Sequence, residues 1–158
     1  MGEVERFVAA ATAFCTWAES DGRADPRGEA YRARQLLAEL IAAAIDLPER
    51  SSDTDAESIS SEEYRRIYRR FASLPFNLYS KVFNPLQVPS EDPVVADLAD
   101  DLADIWRDLK PGLSLYEAGR LDSAIWEWRL GFVTHWGHHA TAVLYALQRW
   151  LSQNDDLV

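Results

Sequence analysis

With 158 residues, 47% of them apolar and 27% charged, the chain has the length for one domain whose core needs neither a disulfide nor a metal to hold it. A net charge of -10 and a pI near 4.7 set most of the surface against a phosphate backbone, so nucleic-acid binding is not expected. No apolar run approaches the roughly 18 to 20 residues that span a bilayer, no leader pattern opens the chain, and Arg6 stands where a myristoylation signal wants serine or threonine; the expectation is a cytoplasmic protein without a membrane partner.

Val4, Phe7, Val8, Ala11, Phe14, Cys15 and Ala18 recur at helical steps, which predicts a first helix over Val4 to Ala18. The lone cysteine, Cys15, lies on that stripe and reads as a small buried hydrophobe rather than a catalytic thiol. After a turn at 20–24, Asp25 and Pro26 have the form of an N-cap and a first helical residue. The second helix then runs to about Asp46 on the stripe Leu36, Leu37, Leu40, Ile41, Ala44 and Ile45, stops before Pro48 and pairs antiparallel with the first. Residues 49–61 are rich in serine, aspartate and glutamate and predict a mobile surface loop. Ser60 and Glu63 have the spacing of a capping box, and Tyr64, Ile67, Tyr68 and Phe71 mark a third helix with Arg65, Arg66, Arg69 and Arg70 on its other side.

Pro75, Pro85 and Pro89 break the next stretch, which predicts a short helix over Phe76 to Phe83 within an irregular connection. Asp92 and Pro93 repeat the cap pattern and open a fourth helix, with Val95, Leu98, Leu102, Ile105, Trp106 and Leu109 toward the core and Asp97, Asp100, Asp101, Asp104 and Asp108 opposite. Pro111 and Gly112 interrupt it, a short helical piece continues to Ala118, and Gly119 turns the chain. From there to Leu151 the stripe Ile125, Phe132, Trp136, Ala140, Val143, Leu147 and Trp150 predicts one amphipathic helix of roughly eight turns. Gly131 and Gly137 each weaken that helix by ~1 kcal/mol against alanine and leave room for a close neighbour or a ligand. The tail at 152–158 should fray, and no segment reads as a strand. The fold class is therefore all-α: a single domain over 1–158, an irregular up-and-down bundle of about five to six helices with a long C-terminal helix.

The candidate site lies on the flank of the last helix, where Trp128 and His135 form a row and His139 stands beside it. Trp128, His135 and His139, joined by Tyr79, make a pocket or docking surface for a protein partner or small ligand. Arg66 and Arg69 add cations for an anionic group. His135 and His139 are also spaced i and i+4, within reach of one divalent metal, with Asp101 or Asp97 of the preceding helix as third ligand. A structural network of histidines and carboxylates ranks ahead of the metal on general grounds. The aspartates of the fourth helix read as a solvated acidic face. No Gly-rich phosphate loop, Gly-x-Ser-x-Gly elbow or zinc-spaced cysteine pair occurs.

Three stretches carry a resemblance: FASLPFNLYSKVFNPL at Phe71 to Leu86, DPVVADLADDLADIWRDLKPGL at Asp92 to Leu113, and YEAGRLDSAIWEWRLGFVTHWGHHA at Tyr116 to Ala140. Together, with His135-Trp136-Gly137 the most distinctive mark, they resemble the bacterial domain-of-unknown-function family 5063. That resemblance implies an all-helical bacterial protein and transfers no catalytic residue. The functional expectation is a non-enzymatic binding or interaction module. The alternative is a divalent-metal-dependent hydrolase using His135, His139 and Asp101 between the last two long helices.

Overall fold

The stripe read in the first segment buries as a unit: Phe7, Ala11, Phe14, Cys15 and Ala18 lie inside helix α1, Glu3–Ala18. The computed structural model describes residues 1–22 and 25–155. Helix α2, Pro26–Ile45, opens on the Asp25 side chain, which accepts from the Gly28 N–H at 2.9 Å, and packs against α1. Helix α3, Ser61–Arg70, opens on the full Ser60 and Glu63 capping box, and a single 3-10 turn, Phe71–Ser73, follows it. The segment before α3 crosses the surface without helix or strand; Ala56 and Ile59 rest on the core, and Asp53 accepts from the buried Ser123 hydroxyl at 3.0 Å.

Two strands replace the helices expected next. Strands β1, Leu78–Lys81, and β2, Val94–Asp97, pair antiparallel with Leu78 opposite Asp97 and Lys81 opposite Val94. The expected helix over Phe76 to Phe83 is absent, and the fourth helix starts after β2 rather than at Pro93. Local chemistry explains both corrections. Adjacent Val94 and Val95 favour the extended backbone. The helix start is supplied instead by Asp97, which accepts from the Asp100 N–H at 3.1 Å, and by Asn77, whose main-chain and side-chain oxygens take the Leu98 and Ala99 N–H groups.

Helix α4, Leu98–Glu117, packs against α1, α3, α5 and α6 and passes straight through the expected interruption at Pro111. A proline inside a helix costs about 3 kcal/mol, but Leu109, Gly112, Leu113 and Leu115 are buried around this one. Trp128 lies across Gly112, where an added Cβ would come within 2.1 Å of the indole nitrogen, and its N–H donates to the Leu109 carbonyl at 3.1 Å. Packing outweighs the local penalty.

The single long helix expected at the C-terminal end is two. Helix α5, Leu121–Thr134, and helix α6, Trp136–Gln153, meet at His135, whose φ of -147° and ψ of -81° are not helical. The two glycines permit the break. Trp136 folds back over Gly131, and Gly137 lies against the Phe132 carbonyl, where an added Cβ would stand 2.0 Å from the oxygen. The close neighbour is thus the chain's own turn. Trp136 also donates to the Trp128 carbonyl at 3.0 Å, and Phe7 packs with its ring centroid 4.8 Å from Trp128 and 6.2 Å from Trp136. Ser152 and Gln153 of the expected frayed tail remain helical, while 156–158, like positions 23 and 24 of the first turn, lie outside the described residues.

Candidate metal centre

The aspartates of α4 are not a solvated face. Asp101 and Asp104 are only 4% and 8% exposed, because α3, β1 and α6 close over that side of the helix. Helix α3 docks with its tyrosines: Tyr68 donates to Asp97 at 2.7 Å, and Tyr64 donates to Asp100 and, at 3.2 Å, to Asp104. Burial, reinforced by these carboxylates, pushes the Tyr64 phenol well above its usual range. On β1 the two-residue repeat turns Tyr79 and Lys81 the same way, and both reach Asp101 Oδ2, Tyr79 by its hydroxyl and Lys81 at 3.4 Å. Burial and the Asp101 charge likewise raise the Tyr79 phenol.

Helix α6 brings the histidines to this carboxylate row. His135 Nδ1 is 2.5 Å from Asp108 Oδ2. His139 Nδ1 is 2.8 Å from Asp101 Oδ1 but points off the oxygen, so this buried nitrogen has no aligned hydrogen-bond partner. The two Nε2 atoms face one another across 3.2 Å, with Asp104 Oδ2 3.8 Å from His135 Nε2 and 3.5 Å from His139 Nε2. Burial alone would raise the Asp101 carboxyl, yet the His139 ring, the Tyr79 hydroxyl and the Lys81 ammonium together hold it below its usual value. Asp104 lacks that surplus of donors, and burial, aided by Asp100, keeps its carboxyl above the usual value despite Arg107.

This arrangement leaves one close contact between ring nitrogens or carboxylate oxygens without a donor. A neutral imidazole has one N–H and one lone pair. If each Nδ1–H faces its carboxylate, two Nε2 lone pairs oppose each other at 3.2 Å; if one Nε2 carries the proton, the Nδ1 lone pair of that ring faces a carboxylate instead. A cation relieves either conflict, either a proton or a metal ion. The three converging atoms suit a metal: the circle through His135 Nε2, His139 Nε2 and Asp104 Oδ2 has a radius of about 2.0 Å, the length of a Zn–N or Zn–O bond. Each of the three side chains also has a charged neighbour on its far side: Asp108 beside His135, Asp101 beside His139 though not aligned with its Nδ1, and Arg107, 2.5 Å from Asp104 Oδ1. The His135 side chain is 41% exposed, so one side of the triangle opens to solvent.

The model of a family described as "Domain of unknown function (DUF5063)" matches residues 1–153. The chain belongs to that family. The DUF5063 chain is similar in fold to the crystal structure of protein BF1032 from Bacteroides fragilis, with a TM-score of 0.77 at 21% sequence identity over 92% of this chain and 90% of that one. No curated protein matches it.

Within this DUF5063 protein the expected site residues part company. His135 and His139 come together, and Asp101 and Tyr79 join them. Asp101, however, stands behind His139, and the oxygen that faces both Nε2 atoms belongs to Asp104; Asp97 is occupied as the α4 cap and as the Tyr68 acceptor. Trp128 is 0% exposed and belongs to the core, which removes it from any docking surface. Arg66 and Arg69 stay on the exposed side of α3, away from the histidines, while Arg70 turns inward to a buried ion pair with Glu29. Cys15 is buried among apolar groups, which push its thiol up to about 12 and leave it no nucleophilic role at neutral pH. Asp104 and Asp108 were missed as site residues, although their i, i+4 spacing matches that of His135 and His139. A separate cavity of about 810 Å³ lies between β1, its following loop and α6; it shares Tyr79 and Lys81 with this cluster but does not contain the histidine pair. Among the described residues no helix is long and apolar enough to cross a membrane.

Proposed function

We propose that this protein is a divalent-metal protein with hydrolytic chemistry, acting in the bacterial cytoplasm, in which His135, His139 and Asp104 hold a zinc-class ion. The observation that carries the reading is the pair of Nε2 atoms 3.2 Å apart, with Asp104 Oδ2 3.8 Å and 3.5 Å from them, so that one point lies about a Zn–N bond length from all three. A set of three protein ligands is the number that catalytic zinc sites use, and would leave room for a water. An ion held by these three side chains would supply Lewis-acid chemistry, activating water near neutral pH and polarising an ester, amide or phosphate oxygen. The neighbouring Arg107, whose side chain is part-exposed, supplies a cation for an anionic substrate.

The test is metal analysis and thermal unfolding of the purified protein with zinc, manganese, cobalt or a chelator. A bound ion at a hundred times Kd adds about 2.7 kcal/mol, which at this length raises Tm by roughly 5 to 10 °C. Asp104→Asn and His139→Ala should remove that rise while remaining folded, and hydrolysis of p-nitrophenyl esters or phosphates should require the added metal. Absence of any metal-dependent shift in the wild type would leave the histidines part of a structural polar network and end this reading.

A second reading, an interaction module, is favoured by a different observation. Leu78, Phe83, Leu86, Val88 and Val95 are all exposed on or near the two-stranded sheet, a concentration of apolar surface suited to a protein partner.

A further inference from the structure

The cavity between β1 and α6 has a charge character opposite to that of the molecule around it. The chain carries 26 acidic residues against 16 basic ones, yet among the described residues no aspartate or glutamate lines this space, whose ionisable groups include Lys81, His138 and Arg149. Its walls are otherwise mainly apolar. Phe76 and Trp150 stack at one side with centroids 6.3 Å apart, and Ala142 and Ala146 keep the α6 wall low, so small side chains leave the room that larger ones would fill. Among the described residues no carboxylate pairs with Arg149. At about 810 Å³ the cavity is within the usual range for small-molecule sites, in which an apolar lining supplies affinity and a few polar groups fix orientation.

We infer that this cavity binds an amphipathic anion, a molecule with an apolar chain and a single acidic head group, with the chain between Trp150 and the Ala142–Ala146 wall and the head group at Arg149. The Arg149 guanidinium answers the head group, and the lack of acidic lining among the described residues removes the repulsion that the rest of the surface would present. This inference does not rest on the metal reading.

The experiment uses three probes of equal chain length, dodecanoate, dodecanol and dodecyltrimethylammonium, below their micellar concentrations and with a chelator present so that metal ligation by a carboxylate cannot contribute. Binding is followed by calorimetry and by tryptophan emission, since Trp150 lines the cavity. Dodecanoate should bind the wild type at a single saturable site, dodecanol at least roughly tenfold more weakly, and the cationic amphiphile not at all. Arg149→Gln, an exposed substitution, should bring dodecanoate down to the level of dodecanol, and Ala146→Trp should block both by filling the space. No dodecanoate binding, equal binding of all three probes, or an unchanged dodecanoate affinity in Arg149→Gln would overturn the inference and leave this face to a protein partner.

Discussion

Trp128 shows how far one residue's role depends on what it packs against. Its ring fills the space over Gly112, and its N–H takes the Leu109 carbonyl in the turn that contains Pro111. Gly112→Ala would place a methyl 2.1 Å from the indole nitrogen, held in place by its hydrogen bond. The expected outcome is a loss of about 1 to 3 kcal/mol, the usual cost of overpacking, read as a Tm lowered by roughly 2 to 12 °C, and an alanine variant as stable as the wild type would contradict this packing. At this scale the i, i+4 histidine pair was legible in the sequence, because spacing alone puts both rings on one face. The third ligand atom was not. Asp101 and Asp104 are three residues apart on one helix, and which of them meets the Nε2 atoms depends on the rotation of α4 against α6, a quantity that no local pattern encodes.

Elements were readable where a stripe and a cap agreed. Helices α2 and α3 begin close to their expected positions because Asp25 and the Ser60–Glu63 box mark starts that tertiary packing does not override, and α1 follows its apolar stripe alone. Four-residue strands between prolines give too short a pattern to stand against a plausible cap at Asp92. The break at His135 was hidden for another reason: Phe132, Trp136 and Ala140 continue the apolar stripe across it, so periodicity carries straight through a point where the backbone does not. Gly137 sets how closely the two helices approach beside that break. Gly137→Ala would set a Cβ against the Phe132 carbonyl at 2.0 Å, forcing the α5–α6 junction apart. Zinc affinity measured by competition with a chelating dye should fall at least roughly tenfold even where the variant keeps its helical circular dichroism; retention of full affinity would show that the junction does not set the spacing of the histidines.

Across the whole molecule, pH reports how the layers are joined. Glu19, just past the end of α1, reaches α4 through Lys110 at 2.5 Å and Trp106 at 3.0 Å. Burial would raise its carboxyl, but these two donors outweigh burial and hold it below the usual 4.5. A depressed pKa in the folded state means stability that is present at neutral pH and is lost as pH falls below about 4.5 toward the folded-state value. Glu19→Gln should therefore be less stable than the wild type at pH 7, with the gap narrowing in denaturant melts taken from pH 5 downward; a gap independent of pH would assign the loss to packing alone. Asp101 joins the layers differently, with one oxygen toward His139 and the other holding Tyr79 and Lys81, which are also cavity wall. A single carboxylate thus touches the histidine cluster directly and the cavity wall through Tyr79 and Lys81. An occupant of one site that altered the charge or orientation of Asp101 would change the affinity of the other, and the coupling free energy would be the same whichever site filled first.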